Sequence, residues 1–477
     1  MLPPLIQRPR RSAPYRTRER GVTMALVALA MVAIVAMAAL SIDIGTLYQA
    51  SAEAQRAADA GALAAARVIS LSGITGDPAN GSTDGSWNSV CGAGGTAALA
   101  ANTVAQQNLI GGAAASKVTV NYSVGSAGGS NASCVGLTGF AVNPVVTVYV
   151  QQAKLPTFFA RVFSLIPGGT PSSSGVSATA SAEVFNPSDS STVAAEMIPV
   201  RPRCVKPWIV PNGDPIGGNF VVPANGSINN GGISQLGGGA IGESFNLTAD
   251  CEPGAANCNP PVYPAGSMIN NPPQYVAAGT LLQYVPALVA GNPVAVPSCA
   301  AAGYQAAIAG CDQTTVYACG TPAATQIDLS ENPVNPNALG GDTSTAVQCL
   351  INNSNGTGPA AGEDTLNTTQ TPPFPFQIQA GSQNPLVKAG LVGSTDVITS
   401  SNSIVTIPIY DSSPTAPLAV GQFVTIVGFL QVFINYVDST TGNLNVTVLN
   451  VAGCSNNATA TPISGTSPVP IRLITPP

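Results

Sequence analysis

The feature that most constrains this chain is an uninterrupted apolar segment near its N-terminus. Residues 22–42 are 21 residues without a charge, bounded by Arg20 and Asp43. At 1.5 Å per residue a helix of this length spans ~31 Å, which matches the ~30 Å hydrocarbon core of a bilayer. The apolar stretch of a secretory signal peptide is usually shorter, about 7–15 residues. The segment is therefore predicted to be a transmembrane helix.

The charge on the N-terminal side of this segment predicts its orientation. Residues 1–20 contain six arginines and one glutamate, a local charge of +5, whereas the whole chain has a net charge of −6. Positive residues that flank a membrane helix stay on its cytoplasmic side. We therefore expect a basic cytoplasmic tail over residues 1–21 and an extracytoplasmic location for everything after Asp43.

Removal of the segment as a signal peptide is the alternative. Ala36 and Ala38 form the A-x-A pattern of small residues that signal peptidase recognises. A cut there would release a chain that begins near Ala39. The length of the apolar run favours a retained anchor over a removed signal.

The helix is predicted to continue beyond the membrane as a stalk, because no proline occurs between Asp43 and Ser70 and alanine dominates. Asp43 is interpreted as a boundary residue or as a carboxylate that meets a partner's cation. Small residues recur along one face of this helix at spacings that allow another element to approach closely. That face packs either on the chain's own domain or on helices of partner proteins. It consists of Ala50, Ala54, Ala58, Gly61 and Ala65.

The apolar run and the alanine-rich helix together resemble the N-terminal region of TadG-like proteins, over about 50 residues. The residues that carry the resemblance are Arg20, Gly21, Asp43, Gly45, Leu47, Tyr48, Gln55, Ala58, Asp59, Ala60, Ala62 and residues 64–66. Such TadE/TadG-type proteins are components of the tight-adherence (Flp) pilus system, a relative of type IV pili. The resemblance implies a single-pass protein of a bacterial inner or cytoplasmic membrane, whose partners are other pilus or envelope proteins.

One departure separates the chain from polymerised pilins. Pilins that are cut after a glycine normally have glutamate at the fifth position of the mature chain. Counted from Val22, that position is Leu26. The resemblance therefore points to an anchored assembly component rather than to a subunit of the pilus shaft.

The remaining sequence up to residue 185 predicts a small α+β unit. A helical pattern over residues 97–109 precedes strands with period-two alternation, and a proline begins a second short helical pattern. Together with the stalk, this order resembles the pilin-like architecture of TadG-like proteins, with a domain over residues 43–185. The strands are predicted at residues 117–124, 145–152 and 176–185, and the second helix at residues 155–163.

A linker over residues 186–195 is followed by a second, mostly β region over residues 196–477. Its clearest strands lie late, at residues 403–411, 423–437 and 443–451, and the turn sequence at residues 438–443 joins the last two as a hairpin. Residues 212–400 show few regular elements and many turn signals. The overall fold class is thus predicted to be α+β.

Cysteine usage indicates an oxidising compartment. All ten cysteines follow the apolar segment, so disulfides are expected to hold the turn-rich region, with a connectivity that stays open. The spacings of Cys251 with Cys258 and of Cys311 with Cys319 suit local disulfides. The full set is Cys91, Cys134, Cys204, Cys251, Cys258, Cys299, Cys311, Cys319, Cys349 and Cys454.

Candidate chemistry is sparse. The chain has no histidine, which excludes Ser-His-Asp and Cys-His catalysis and any zinc site with a histidine ligand. The glycine-rich match at residues 237–242 lacks a preceding strand and a following helix pattern, so a loop is predicted there. Asp411, Ser413 and Thr415 resemble the metal-binding corner of von Willebrand A domains, although a turn is favoured because too few residues follow. No cofactor is expected.

These observations favour a membrane-anchored, non-enzymatic component of pilus assembly, which acts as an anchor or scaffold. The acidic body argues against nucleic-acid binding, and no small-molecule substrate is expected. The alternative is a surface adhesin or binding module that is independent of a pilus. An exported hydrolase that uses paired carboxylates is a third hypothesis. Its candidate acids are scattered, at Glu243, Asp250, Glu331, Asp342, Glu363 and Asp364.

Overall fold

The computed structural model describes most of the N-terminal half of the chain and the framework of strands that follows it. The described residues are 19–76, 85–125, 131–155, 175–184, 186, 200–213, 220–229, 239–249, 281–289, 293, 303–320, 325–326, 342–353, 358–359, 361–367, 375–412, 422–454 and 463–475.

A single long helix, α1, dominates the N-terminal region. It runs unbroken over Glu19–Leu71, 53 residues, which corresponds to ~80 Å at 1.5 Å per residue. The side chains described over residues 22–42 are almost all exposed, whereas from Ala50 onward one face of the helix is buried. The predicted membrane segment and the predicted alanine-rich helix are therefore one continuous element.

Four antiparallel strands form a sheet that packs against the second half of α1. Their order is β1-β2-β3-β17, and β1 and β2 pair along their whole length. Helix α3 lies beside α1 on the same side of the core, and the short α2 precedes it. The elements are α2 Asn88–Cys91, α3 Thr96–Gln107, β1 Lys117–Val124, β2 Pro144–Gln152, β3 Val176–Val184 and β17 Ile471–Ile474.

The last strand of this sheet comes from the C-terminal end of the chain. β17 pairs antiparallel with β3, and the Arg472 guanidinium forms an ion pair with the Glu183 carboxylate across that pairing. Val469, just before the strand, belongs to the same apolar core as α1. The prediction that residues 196–477 form a region separate from residues 43–185 is therefore wrong at its C-terminal end. No local pattern reveals a strand partner this distant in sequence.

The second unit is a closed six-stranded barrel in the order β12-β14-β15-β6-β7-β5. Closure removes the free strand edges that an open sheet of this size would expose. Most neighbours are antiparallel, but β5 with β12 and β6 with β7 are parallel pairs. The strands are β5 Trp208–Pro211, β6 Ser244–Ala249, β7 Leu281–Pro286, β12 Ile404–Tyr410, β14 Ile426–Val437 and β15 Leu444–Gly453.

Several short strands and helices lie outside the six barrel strands. β4 pairs parallel with β16, β8 pairs antiparallel with β13, and β9, β10 and β11 form a small antiparallel sheet. The strands are β4 Val200–Pro202, β8 Thr325–Gln326, β9 Thr365–Asn367, β10 Gln377–Gln379, β11 Val397–Ile398, β13 Phe423–Val424 and β16 Ile463–Gly465. The helices are α4 Tyr304–Ala309, α5 Asp342–Leu350, α6 Pro385–Lys388 and two 3₁₀ turns, Ile74–Gly76 and Gly85–Trp87.

Most of the predicted elements are present, and the α+β class is confirmed. The helix expected at residues 155–163 falls almost wholly outside the described residues, as does the linker at residues 186–195 except for Asn186. The prediction underestimated residues 212–400, because β6 and β7 complete the barrel from within this turn-rich stretch. The turn at residues 438–443 joins β14 and β15 as predicted, and Asp438 accepts hydrogen bonds from the backbone of Thr440 and Thr441.

Disulfides tie the turn-rich segments together. Three pairs join described residues, Cys91–Cys134, Cys204–Cys311 and Cys319–Cys454. Cys349 is also disulfide-bonded, and Cys251, Cys258 and Cys299 lie outside the described residues. A local disulfide between Cys311 and Cys319 is thus not formed. Each of these two cysteines instead joins its loop to a segment more than 100 residues away, at separations of 107 and 135 residues.

Candidate membrane anchor and its junction with the barrel

The first half of α1 presents apolar side chains to its surroundings on every face. Met24, Leu29 and Val32 are exposed by 78%, 67% and 67%, and none of the most apolar 18-residue window is buried. A helix in the core of a soluble domain would be covered by its own chain. Apolar surface of this extent is stable in a bilayer rather than in water. Within the described part of the chain, this is the one helix long and apolar enough to cross a membrane.

The pattern of exposure changes at Asp43, the residue that follows the apolar span. The Asp43 residue is only 3% exposed, whereas Tyr48, one and a half turns further on, is 75% exposed. The Thr46 hydroxyl donates to the Asp43 carbonyl oxygen at 2.8 Å. An exposed tyrosine just beyond an apolar span is typical of the membrane–water interface, where its ring is apolar and its hydroxyl remains hydrated.

The other family-motif residues lie along the same helix. Gly45 is exposed and Leu47 is partly exposed, whereas Arg20 and Gly21 are described only as part of the helical backbone. The Asp59 carboxylate accepts a hydrogen bond from the Gln55 side chain at 2.7 Å. The motif therefore covers both the span and the start of the folded domain.

The small-residue face of α1 is buried inside the chain's own domain. Ala54, Ala58 and Ala65 have no exposed surface, and Ala50 is 2% exposed. A Cβ atom at Gly61 would lie 3.2 Å from the Ala101 carbonyl oxygen. The face thus packs against α3, β2 and β3. Its interpretation as a surface for partner helices is wrong, and the alternative of packing on its own domain is the one that the structure supports.

The predicted free stalk is correspondingly short. Ala50 is already part of the apolar core, so only residues 43–49 separate the span from the folded domain. These seven residues of helix correspond to ~10 Å. The described body therefore begins close to the end of the apolar span.

A loop also contacts the helix in this membrane-proximal region. The Gly111 backbone N–H donates to the Glu53 carboxylate at 2.7 Å, and the Gln49 side chain donates to its other oxygen at 3.0 Å. The hydrogen bond from Gly111 and then that from Gln49 lower the pKa of Glu53. The carboxylate is therefore held in its charged form as the acceptor for this loop.

The C-terminal end of α1 meets the barrel through buried amide side chains. The Asn450 side chain, on β15, donates to the Ser70 carbonyl oxygen at 2.9 Å and to the Gln431 side-chain oxygen at 2.6 Å. Gln431 in turn donates to the Ser467 hydroxyl at 2.9 Å. The last carbonyl groups of a helix lack partners within the helix, so this network satisfies one of them from a strand of the other unit.

Two further contacts join the units at the same place. The Asn186 side chain donates to the carbonyl oxygens of Thr75 and Val451, at 3.2 Å and 2.9 Å. Gly73 has a φ of +83°, and a Cβ atom there would lie 2.5 Å from the Phe376 ring. A glycine is thus required both by the backbone conformation and by the close approach of that ring. The anchor helix is tied to the barrel without a flexible connection at this point.

The candidate metal and nucleotide motifs do not form sites within the described residues. Asp411 is described, but Ser413 and Thr415 lie outside the described part of the chain. No cluster of three or more metal-ligating side chains occurs among the described residues. Gly239 to Gly242 lead into strand β6 rather than into a helix, so the described part of the glycine-rich match does not begin a helix.

Several of the candidate acids have structural partners. Asp364 accepts hydrogen bonds from the Gly381 backbone, the Asn384 side chain and the Ser401 hydroxyl, at 2.9, 2.8 and 2.6 Å. Asp342 accepts one from the Gln305 side chain. Asp250 and Glu331 lie outside the described residues.

Sequence reasoning also missed a buried lysine, Lys206. Its ammonium group donates to the Ile308 and Gly310 carbonyl oxygens at 2.6 and 2.8 Å, at the end of α4.

Comparison with known proteins gives a family match that coincides with the apolar helix. The model of a family described as Flp pilus-assembly TadE/G-like matches residues 21–68. No curated protein matches the chain. No solved structure matches it either. The family resemblance read from the sequence is thereby confirmed, and residues 21–68 are a TadE/G-like segment that comprises the apolar span and the buried face of α1.

Proposed function

We propose that this protein is a single-span, non-enzymatic membrane component of tight-adherence (Flp) pilus assembly. The observation that carries the proposal is the family match over residues 21–68, which covers an apolar helix that its own chain leaves uncovered. The same match continues into the core of the folded domain. In this proposal the first half of α1 is the anchor, and its second half forms part of the scaffold.

The proposed mechanism is the rigid presentation of the outer units at the membrane surface. α1 continues without a break from the span into the domain core, and its end is hydrogen-bonded to the barrel through Asn450 and Asn186. A scaffold of this kind holds partner-binding surfaces at a fixed height and orientation. Because the small-residue face is buried, partner contacts belong to the surfaces of the two outer units or to the exposed face of α1.

The proposed topology places the N-terminal tail in the cytoplasm and the two units outside it. Six arginines precede the span, which favours retention of the tail on the cytoplasmic side. Three described disulfides occur in the outer part of the chain, and such bonds persist in oxidising compartments. The absence of histidine and the structural hydrogen bonds of Asp364 support a role without catalysis.

Deletion of the gene followed by complementation tests the proposal. We expect the deletion to abolish surface pili, counted by electron microscopy, and the full chain to restore them. A variant in which residues 22–42 are replaced by an unrelated apolar helix of equal length should also restore pili. A variant secreted from a cleavable signal peptide should not.

The outcome also separates the two functional hypotheses. Normal pilus numbers in the deletion strain, together with lost surface attachment, would contradict a role in pilus assembly and favour an adhesin. Restoration of pili by the secreted variant would contradict the anchoring mechanism.

A further inference from the structure

A polar cavity on the barrel side of the protein has two arginines in its wall. Its volume is about 260 Å³. Arg201 and Arg203 line one side, the loop from Asp312 to Tyr317 lines another, and Ser464 completes the wall. This cavity lies in the outer region, away from the anchor helix and from the small-residue face.

The backbone places the two guanidinium groups on the same side. In strand β4, Val200 and Pro202 are buried while Arg201 is exposed, and Arg203 follows with the same orientation. Residues two apart in an extended strand project to the same face, at ~6.5 Å spacing. The parallel partner strand β16 places Ser464 opposite Arg201. The cavity therefore has two cations and a hydroxyl on one wall.

Covalent and hydrogen bonds hold the arginine segment to β16 and to the loop. The Cys204–Cys311 disulfide joins the end of the arginine segment to the start of the loop. The Arg203 backbone N–H donates to the Gly465 carbonyl oxygen at 2.6 Å, and the Cys204 N–H donates to the Asp312 carbonyl oxygen at 3.3 Å. Cys204 itself has a φ of +57°, which is costly for a residue other than glycine. The backbone that carries the two arginines is thus held in place beside the loop.

Among the described residues of the wall, the one carboxylate already accepts hydrogen bonds from its own loop. Asp312 accepts hydrogen bonds from the backbone N–H groups of Thr314 and Thr315 at 2.8 and 3.1 Å, and from both of their hydroxyls. A carboxylate has about four acceptor positions, so Asp312 has little capacity left for a guanidinium. Among the described residues the one ion pair is Arg472 with Glu183, and neither Arg201 nor Arg203 takes part in it.

Two arginines in one cavity stand out because the chain beyond the N-terminal tail contains few cations. Apart from the six arginines of the tail, ten lysines and arginines serve a region with a net charge of −11. Two of these ten line one cavity, and no carboxylate among the described residues forms an ion pair with either. Guanidinium groups recognise oxyanions through short, charge-assisted hydrogen bonds.

We propose that this cavity is a binding site for an oxyanion group, a phosphate or a carboxylate carried by a ligand of the cell envelope. Arg201 and Arg203 supply the charged donors, and the Ser464 hydroxyl supplies a neutral hydrogen bond. The site itself is inferred from the cavity alone, whereas the envelope source of the ligand rests on the topology proposed above.

Titration calorimetry of the full chain in detergent tests the site, with inorganic phosphate and galacturonate as the two probes. We expect saturable binding of at least one probe, and we expect R201Q and R203Q each to weaken it about tenfold. K388Q removes the same charge from an exposed helix end elsewhere, and it should leave the affinity unchanged. Binding of phosphate alone would identify a phosphate-bearing ligand, and binding of galacturonate alone a carboxylate-bearing one.

Two results would overturn the proposal. One is the absence of saturable binding of both probes. The other is an affinity that is the same in the R201Q/R203Q double variant as in the original protein. Peptide mapping that recovers the Cys204–Cys311 link in each variant shows that the cavity wall is intact, so a lost affinity is assigned to the arginines themselves.

Discussion

The Asn450 side chain donates a 2.9 Å hydrogen bond to the Ser70 carbonyl oxygen, although the two residues are 380 positions apart. Ser70 lies in the last turn of the anchor helix, and Asn450 lies in a strand of the barrel. The bond is buried, so it is not exchanged readily for a bond to water. It joins the helix that contains the apolar span to the barrel.

Asn450→Ala is therefore expected to weaken the junction between the two units. The substitution leaves the Ser70 carbonyl and the Gln431 side chain without this donor, which costs about 1–3 kcal/mol in the free energy of unfolding. Hydrogen exchange of the backbone amides at residues 69–72 should accelerate. Asn225→Ala, at an exposed turn, is the matched control. Equal exchange rates in the two variants would contradict the coupling role of Asn450.

Gly61→Leu is expected to destabilise the N-terminal domain rather than to block a partner. The new side chain must displace the Ala101 carbonyl and the Ala105 and Val148 side chains, which lie 3.2–3.4 Å from the position of a Cβ atom. Overpacking of this kind costs about 1–3 kcal/mol or more. Thermal unfolding in detergent measures the effect, with Ala52→Leu on the exposed face as the control. An unchanged melting temperature for Gly61→Leu would show that the face is not buried in the native protein.

The disulfide map can be tested directly. Peptide mapping without reduction should recover Cys91–Cys134, Cys204–Cys311 and Cys319–Cys454 as cross-linked peptides. Because the last pair closes a separation of 135 residues, its loss in a Cys319→Ser/Cys454→Ser variant should lower stability by about 2–5 kcal/mol. A peptide that links Cys311 to Cys319 would contradict the arrangement of loops around the arginine cavity.

Lys206 predicts a pH dependence of stability. Burial lowers the pKa of its ammonium group from 10.5 to about 7 in the folded protein. Between these values the unfolded chain binds more protons than the folded one, so the free energy of unfolding rises with pH, by up to ~1.4 kcal/mol per pH unit. Urea unfolding from pH 7 to pH 9.5 should show this slope.

Lys206→Met provides the comparison for that slope. The variant loses the hydrogen bonds to the Ile308 and Gly310 carbonyls, so its stability is lower throughout. The relevant readout is its slope with pH, which should be flatter than that of the original protein. Equal slopes would mean that Lys206 keeps an ordinary pKa in the folded state.

Elements with strong local patterns could be predicted from the sequence. β1 was predicted at residues 117–124 and occupies Lys117–Val124, because its alternation and its flanking turns are both local signals. The hairpin of β14 and β15 was likewise evident from two long apolar runs around a turn. The apolar span could be predicted from its length and its lack of charge alone.

Elements defined by distant partners could not be predicted in this way. β17 has four residues and is paired with a strand about 290 positions earlier, and β6 and β7 close the barrel as short strands amid turn-rich sequence. The small-residue face illustrates the same limit. Its spacing indicates close packing, but the identity of the packed element depends on where α3 and β2 fold back.

The central claim, a retained membrane anchor on a TadE/G-like segment, is tested most directly by the intact mass of the protein extracted from native membranes. The whole sequence has a mass of 47.6 kDa. We expect the measured mass to correspond to a chain that includes residues 22–42. A chain that begins at Val22 would still retain the span and would reveal processing of the tail. A chain that begins near Ala39 and is recovered in the soluble fraction would contradict the anchor.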